Sequence, residues 1–378
     1  MTVWINSPFD TLPGEGGRPM RYWMLCRALV AAGHSVVLWS SDFHHVTKRR
    51  RSVAAMYETE GFQVRLVPTL AYGANVCWRR WASHRQYAHA WRKLAHEAVD
   101  GQALEKPDCI LVSLPPLGLY AEAEQMRRLW GSRIVVDIQD AWPETFHRLL
   151  PRGMRWLAEG VFWRARVLAC RAYRGADGVA AVSERYVRLA RDYGCHSKTG
   201  VFPLGCLLSQ KAATGRMGVT DEKKVAALRL CYLGNLGEAY DIRTMIDGIR
   251  MLTAEGCGVT LKVAGDGPQC GRVSEAIEKG MPVCYCGYLQ QEALQACLAE
   301  CDVGIVPMFA SSWVAVPNKV ADYAAAGLAM INGLKGETHE LLERYEAGLQ
   351  YEAGDVLSFV AAVRRYSEDR ALLTRHRH

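Results

Sequence analysis

The chain has 378 residues, half of them apolar and 22% charged, a composition that excludes disordered and fibrous proteins and suits two domains of roughly 150 to 200 residues each. Its net charge of +7 is uneven, since residues 1–208 hold 28 Lys and Arg against 18 Asp and Glu while the remainder holds 18 against 21. The cationic first half suits anionic lipid or phosphate partners, but its arginines are spread over many helices with no nucleic-acid module among them, so nucleic acid is not expected as a partner.

Val3-Trp4-Ile5, closed by Asn6-Ser7-Pro8, is the first apolar run. It lacks a basic flank and a long apolar core, so no secretory signal is expected. No run in the chain is long enough to span a membrane, and membrane contact is expected to be peripheral. Strands are predicted at Thr2–Ile5, Ser35–Trp39, Phe62–Val67, Cys109–Val112, Arg133–Ile138, Gly178–Val182 and Thr199–Phe202, with helical patterns between most of them. After the first strand, Pro13-Gly14-Glu15-Gly16-Gly17-Arg18 leads into a predicted helix from Pro19 to Ala32. A glycine turn at a helix start offers N–H groups to an anion, although it serves equally well as a plain strand-to-helix connection. Lys48-Arg49-Arg50-Arg51 reads as a mobile loop.

Residues 72–94 interleave rings and cations: Trp78-Arg79-Arg80-Trp81, His84-Arg85, Tyr87 and Trp91-Arg92-Lys93. On a helix this pattern suits a membrane interface, with rings at headgroup level and cations on anionic lipid; the plainer alternative is a helix packed on the first sheet with a solvated basic face. Beyond the strand ending at Ile138 come Asp140 and Glu144, placed either to orient an acceptor hydroxyl or to cap and start a helix.

The alternation restarts after a polar stretch, Ser209 to Lys224, with strands predicted at Leu230–Leu233, Thr260–Ala264, Val283–Cys286, Val303–Val306 and Ala329–Ile331. Strands spaced by helices imply parallel sheets, so the fold class is α/β, with two doubly wound domains, 1–208 and 225–378, facing a central cleft. Glycine turns close two strands of the second domain, Gly234-Asn235-Leu236-Gly237 and Gly265-Asp266-Gly267-Pro268, where a nucleotide diphosphate fits. In Val316-Pro317-Asn318-Lys319-Val320-Ala321-Asp322-Tyr323-Ala324-Ala325-Ala326-Gly327, Pro317 at a helix start would aim N–H groups at a phosphate that Lys319 helps neutralise, and Asp322 would take ribose hydroxyls. Asp322 also reads as an ordinary first-turn acid. The thirteen cysteines, several of them inside apolar runs, read as reduced core residues; Cys284, Cys286, Cys297 and Cys301 lack CxxC spacing and nearby histidines, so no metal is expected.

These second-half segments, with Gly336-Glu337-Thr338, resemble in order and spacing the donor domain of retaining family-4 glycosyltransferases. The likeness extends to the first half through Gly16-Gly17, Ala31-Ala32-Gly33-His34-Ser35-Val36-Val37 and Asp137-Ile138-Gln139-Asp140-Ala141-Trp142-Pro143-Glu144. It implies the GT-B fold of two Rossmann-like domains, the first for the acceptor and the second for a nucleotide sugar, with the last helix packing back on the first. It also implies a hexosyl or N-acetylhexosaminyl transfer with retention, in which the leaving diphosphate takes the acceptor proton and neither metal nor cofactor is needed beyond the sugar donor, a UDP-sugar. Donor contacts fall on Gly16, Gly17, Gly234, Asn235, Gly237, Asp266, Gly267, Pro317, Asn318, Lys319 and Asp322, and catalytic roles on Asp140, Glu144 and Lys319. The subgroup it looks most like builds surface polysaccharides on lipid-linked precursors, which implies a cytoplasmic place on the inner face of the plasma membrane and acceptor or membrane contacts at Trp78, Arg79, Arg80, Trp81 and Arg85.

Two positions depart from the family's pattern. Val314 stands where the first of two glutamates is common and Asp322 where the second is; Asn235 and Tyr240 stand where many members carry Arg and Lys, a loss that Lys319 or Arg243 would make good. A sugar-nucleotide-binding scaffold that transfers nothing, or a GT-B epimerase or hydrolase, are the competing readings. A nicotinamide-dependent oxidoreductase is disfavoured, because no tight G-x-G-x-x-G follows the first strand.

Overall fold

The structure is a computed structural model that describes residues 1–13, 15, 21–74, 77–145, 155–206, 227–310, 312 and 314–377, without the side chains of 155–159, 161 and 291. The described residues form two compact units divided between Pro203 and Leu204. Gly16, Gly17 and the polar stretch Ser209 to Lys224 lie outside the described residues.

In the first unit, short apolar runs make an eight-stranded sheet in the order Lys198–Val201, Gly178–Ala181, Arg133–Ile138, Cys109–Leu114, Thr2–Asn6, Ser35–Ser41, Phe62–Val67, Met56–Thr59. Neighbours are parallel except the last pair, which runs antiparallel through the turn at Glu60 and Gly61. Parallel strands covered by helices on both faces bury both sides, which is why Trp4, Ile5, Leu38 and Trp39 are all inaccessible. The Trp4 ring lies 5.5 Å from Trp39 and edge-on to Trp130 at 5.6 Å. Helix Trp78–Asp100 lays Tyr87, Ala88, Trp91 and Ala95 inward.

The segment Lys48 to Arg51 is no mobile loop. Arg49–Arg50 pairs antiparallel with Phe43–His44, and the Arg51 side chain is fully buried. Its Nε faces Glu15 Oε1 at 2.8 Å, and its other nitrogens donate to Ser40 Oγ at 3.0 Å, to the Ser41 carbonyl at 2.9 Å and to the Asp10 carbonyl. A guanidinium enters a core only beside a carboxylate and several acceptors of this kind.

The second unit is a six-stranded parallel sheet in the order Val283–Gly287, Val259–Ala264, Leu228–Leu233, Val303–Val306, Ala329–Asn332, Gly348–Gln350. Its core gathers Leu230, Tyr232, Ile249, Val263 and Ile305. The closing helices Val356–Glu368 and Arg370–His376 belong to this unit, burying Phe359, Val363, Tyr366, Leu372 and Leu373 in the same core.

Each sheet has one place where the strand order reverses. In the first it lies between Thr2–Asn6 and Cys109–Leu114, in the second between Leu228–Leu233 and Val303–Val306. Loops leaving the carboxyl ends there diverge and open a crevice, the usual ligand position in doubly wound sheets.

Candidate functional site

The two glycine turns of the second unit interlock at this reversal. Gly234, Gly265 and Gly267 have φ of 125°, 142° and 153°, and a Cβ on Gly265 would lie 1.8 Å from the Gly234 carbonyl oxygen. The Gly234 N–H donates to the Ala264 carbonyl and the Leu236 N–H to that of Asp266, both at 2.9 Å. Gln269 Nε2 closes the arrangement, donating to the Gly237 carbonyl at 2.7 Å and the Tyr240 carbonyl at 3.1 Å. Only glycine fits such close backbones, so the sequence pattern translates directly into geometry.

Helix Asn318–Ala325 starts after Pro317 with no side-chain cap. Tyr323 fastens it to both strands at the reversal, its hydroxyl accepting from the Leu233 N–H at 2.9 Å and donating to the Ile305 carbonyl at 3.1 Å. One residue into the helix, Lys319 is only 6% exposed. Its Nζ lies 4.0 Å from the Tyr232 ring centre and 4.4 Å from that of Tyr240, and would be 3.3 Å from a Cβ placed on Gly234. It has no hydrogen-bond partner among the described residues. Burial drives its pKa well below the usual lysine value, opposed by the half-buried Asp322. Two aromatic faces, worth about 2 kcal/mol each when desolvated, offset part of the desolvation cost but satisfy no N–H.

Gly234, Asn235, Gly237, Asp266, Gly267, Pro317, Asn318, Lys319 and Asp322 therefore all lie at the carboxyl edge of the second sheet, on its turns and on the helix beside them. Asn235, Asp266 and Asn318 are exposed there, and Asp266 Oδ1 accepts the Gly267 N–H at 2.8 Å. Arg243 does not join them: its side chain is 77% exposed and pairs with Asp247 on its own helix.

In the first unit Asp140 ties down its own turn. Its Oδ2 accepts the Trp142 indole N–H at 3.0 Å and its Oδ1 the Thr145 hydroxyl at 3.1 Å. Burial raises its pKa and these two bonds oppose the rise. Glu144 Oε1 accepts from the Tyr193 hydroxyl, while its Oε2 is buried without a partner among the described residues. Trp142 is stacked by Trp81 at 5.1 Å, His84 at 5.2 Å and the Arg80 guanidinium at 4.9 Å.

The helix divides its rings and cations between an exposed and an inward face. Trp78 is 75% exposed and Arg79 and Arg85 are exposed, but Arg80 turns inward over Trp142 and Phe9, Trp81 leans on Trp142, and Trp91 is fully buried. Two groups escaped the sequence reading. One is Asp137, which accepts from Arg21 Nε at 2.7 Å and the Tyr22 hydroxyl at 2.8 Å; it stood in the segment that carries the resemblance, but with no role given to it. The other is a pocket at the first sheet's reversal, lined by residues from separate segments.

Burial raises the Cys286 thiol, and the hydrogen-bonded Cys231 thiol raises that of Cys301, each to about 12. Among the described residues no group of three His, Cys, Asp or Glu side chains is placed to hold a metal, and no helix is long and apolar enough to cross a membrane.

Comparison with known proteins assigns the class. The chain superposes on sucrose-phosphate synthase from Thermosynechococcus elongatus with a TM-score of 0.70 at 16% identity, over 100% of this chain and 92% of that one. HepE of Anabaena in complex with UDP-glucose gives 0.63 at 14%, over 100% and 92%. WaaG, a glycosyltransferase involved in lipopolysaccharide biosynthesis, gives 0.62 at 11%, over 100% and 93%. At such identities these likenesses show the fold, the pair of Rossmann-like domains of the GT-B glycosyltransferases. Residues 16–205 match the profile of the glycosyl transferase 4-like domain and residues 227–369 that of glycosyl transferases group 1, and the chain belongs to this glycosyltransferase family. No curated protein matches it in sequence.

The buried ammonium makes a prediction about the empty protein. Between the depressed pKa of Lys319 and its ordinary 10.5, the unfolded chain binds the proton more readily than the folded one, so stability rises with pH across that window. Lys319→Met is expected to stabilise the ligand-free protein at neutral pH by about 1 kcal/mol and to flatten that rise. Urea unfolding of both proteins from pH 7 to 10 measures it; a less stable variant with an unchanged pH slope would show that Lys319 is already satisfied.

Proposed function

We propose that the protein transfers a hexosyl or N-acetylhexosaminyl group from a UDP-sugar to a lipid-linked or polysaccharide acceptor, with retention and without a metal. The observation that carries this is the Lys319 ammonium, buried beside the Gly234 turn with no hydrogen-bond acceptor among the described residues. A diphosphate on the interlocked turns would complete its coordination, and Asp322, one turn further along, is spaced for the ribose hydroxyls. HepE, which shares the fold, is known in complex with UDP-glucose, which supports the donor class; WaaG, involved in lipopolysaccharide biosynthesis, supports the acceptor class.

Catalysis is then positioning and charge stabilisation. As the bond from sugar to diphosphate breaks, negative charge grows on the leaving oxygen, where Lys319 and the turn N–H groups meet it. That oxygen takes the acceptor hydroxyl's proton on the same face as the new glycosidic bond forms. Asp140 and Glu144 orient the acceptor hydroxyl. The exposed Trp78, Arg79 and Arg85, with Trp81 and Arg80 behind them, support a contact with an anionic membrane, and a cytoplasmic position on the inner face of the plasma membrane is part of the same proposal.

The scaffold reading is favoured by one observation, the exposed Val314 where a glutamate is common. It predicts donor binding without transfer, while an epimerase or hydrolase would turn over without acceptor.

Thermal unfolding against a panel of nucleoside diphosphates, with and without magnesium, is expected to show a metal-independent rise for UDP, reduced at least tenfold in apparent affinity by Lys319→Met. If no nucleotide moves the midpoint, the donor site is wrong. Asp140→Asn, which keeps the turn's shape, is expected to lower turnover at least a hundredfold while leaving UDP affinity intact; undiminished turnover would remove Asp140 from the mechanism. Sedimentation with anionic liposomes at low salt is expected to bring the protein down, and a Trp78→Ala, Arg79→Ala, Arg85→Ala variant to stay in solution. Equal sedimentation of the two would end the membrane assignment.

A further inference from the structure

Helix Arg155–Gly175 of the first unit keeps its alanines inside and its tryptophan out. Ala165, Ala169 and Ala172 are buried together with Tyr173, while Trp163 is 61% exposed and Val167 45%. At 3.6 residues per turn, Gly160, Trp163, Arg164, Val167, Arg171 and Arg174 fall within about 100° of arc, opposite the alanines, and all six are exposed. Packing on the sheet accounts for the alanine side and gives no reason for an indole and a valine one turn apart in water. Single exposed apolar residues are ordinary; a pair on one stripe, framed by cations, is the pattern of a helix lying at a membrane interface.

The charge on this helix has one sign, with four arginines and no acid over residues 160–175. Arg171 bonds to Glu124 of helix Leu119–Trp130, and Arg174 Nε donates to the Tyr193 carbonyl at 2.8 Å, which fixes both stems at the surface. Helix Leu119–Trp130 stands between this helix and Trp78–Asp100 and contacts both. Its two carboxylates are taken up by cations: Glu122 by His89 at 2.9 Å and Arg92 at 3.2 Å, and Glu124 by Arg171, by Arg128 at 3.5 Å and by Arg127 at 3.7 Å. Each of the two outer helices leads into a strand of the parallel sheet, so both start at the sheet's carboxyl edge, and Trp78, Arg79, Arg85, Trp163 and Arg164 all lie in the first halves of helices in one layer. A lipid headgroup region gives indole, valine and guanidinium each a fitting depth, whereas an acidic protein surface would engage the arginines and leave Trp163 in water.

We propose that the stripe of Trp163, Arg164, Val167, Arg171 and Arg174 docks on an anionic lipid bilayer, with Trp163 and Val167 at headgroup level and the arginines on lipid phosphates. This rests on the membrane contact proposed for Trp78, Arg79 and Arg85 and extends it to a second helix. A contact through one helix leaves the unit free to roll about that helix; two helices, one on each side of Leu119–Trp130, fix which way the first unit faces the bilayer.

The test sediments the full-length protein with vesicles of phosphatidylglycerol and phosphatidylcholine, and with phosphatidylcholine alone, as wild type, as Trp163→Ser with Val167→Ser, and as Arg164→Glu. Wild type is expected to bind only the anionic vesicles and each variant at least tenfold more weakly, with thermal midpoints near the wild-type value because the replaced side chains are exposed. In case a variant fails to fold, phosphatidylglycerol brominated in its acyl chains is expected to quench the fluorescence of wild type more than that of Trp163→Phe, which keeps a ring at that place. Wild-type sedimentation by both variants overturns the proposal, as does equal quenching of wild type and Trp163→Phe; equal quenching beside a weakened Arg164→Glu assigns the arginines to an acidic partner instead. Loss of binding in these variants while the Trp78→Ala, Arg79→Ala, Arg85→Ala protein still sediments supports the stripe and ends the first helix's assignment alone. Loss confined to that triple variant does the reverse.

Discussion

Two strands of the second sheet end so close together that one turn's carbonyl occupies the space where the next turn's side chain would begin. Gly265 against Gly234 is the constraint from which the rest of that edge follows. With no Cβ in the way, the turns share hydrogen bonds, the Gln269 side chain locks their far ends, and the Lys319 ammonium comes to rest over the backbone of Gly234 rather than in water. A larger residue at 265 would have to push the turns apart, and both the aromatic box and its cation would go with them.

The same logic of diverging loops operates in both sheets, but with different fillings. The second sheet's reversal offers backbone and one buried cation, with an aromatic floor from Tyr232 and Tyr240. The first sheet's reversal offers side chains, among them the Phe9, Phe43 and Tyr72 rings, the Ser41 and Thr69 hydroxyls and His84. Backbone donors suit a ligand part that every member of a broad class carries, since main chain cannot vary. Side chains can vary without touching the fold, and they suit the part of a reaction that differs from one enzyme to the next.

What could be read from the chain alone divides along physical lines. Buried parallel strands announce themselves as apolar runs, so every strand expected in both halves is present, and the glycine turns were legible because positive φ selects glycine. Met56–Thr59 and Gly348–Gln350 were missed because edge strands of three or four residues carry too little apolar content to stand out. Arg51 looked solvated among its charged neighbours, because its acceptors sit up to 41 residues away. The isolation of Lys319 depends on the rings of Tyr232 and Tyr240, far earlier in the chain, and the first pocket on residues from several segments; no local pattern records either. The Trp78 to Lys93 stretch was half legible: its composition marks an unusual helix, but which rings face outward is decided by Trp142, far along the chain.

The eight-stranded sheet ends on Met56–Thr59, its one antiparallel member, folded back from Phe62–Val67 by a two-residue turn. A parallel sheet that simply stopped would leave the full-length, apolar Phe62–Val67 as its border, with open amides and carbonyls ready to recruit another chain. The folded-back ribbon covers that border with four residues, two of them polar, and the opposite border, Lys198–Val201, is equally short and opens on a lysine. Both margins are thus poor templates for strand addition, so the sheet's apolar interior is not extended from either side.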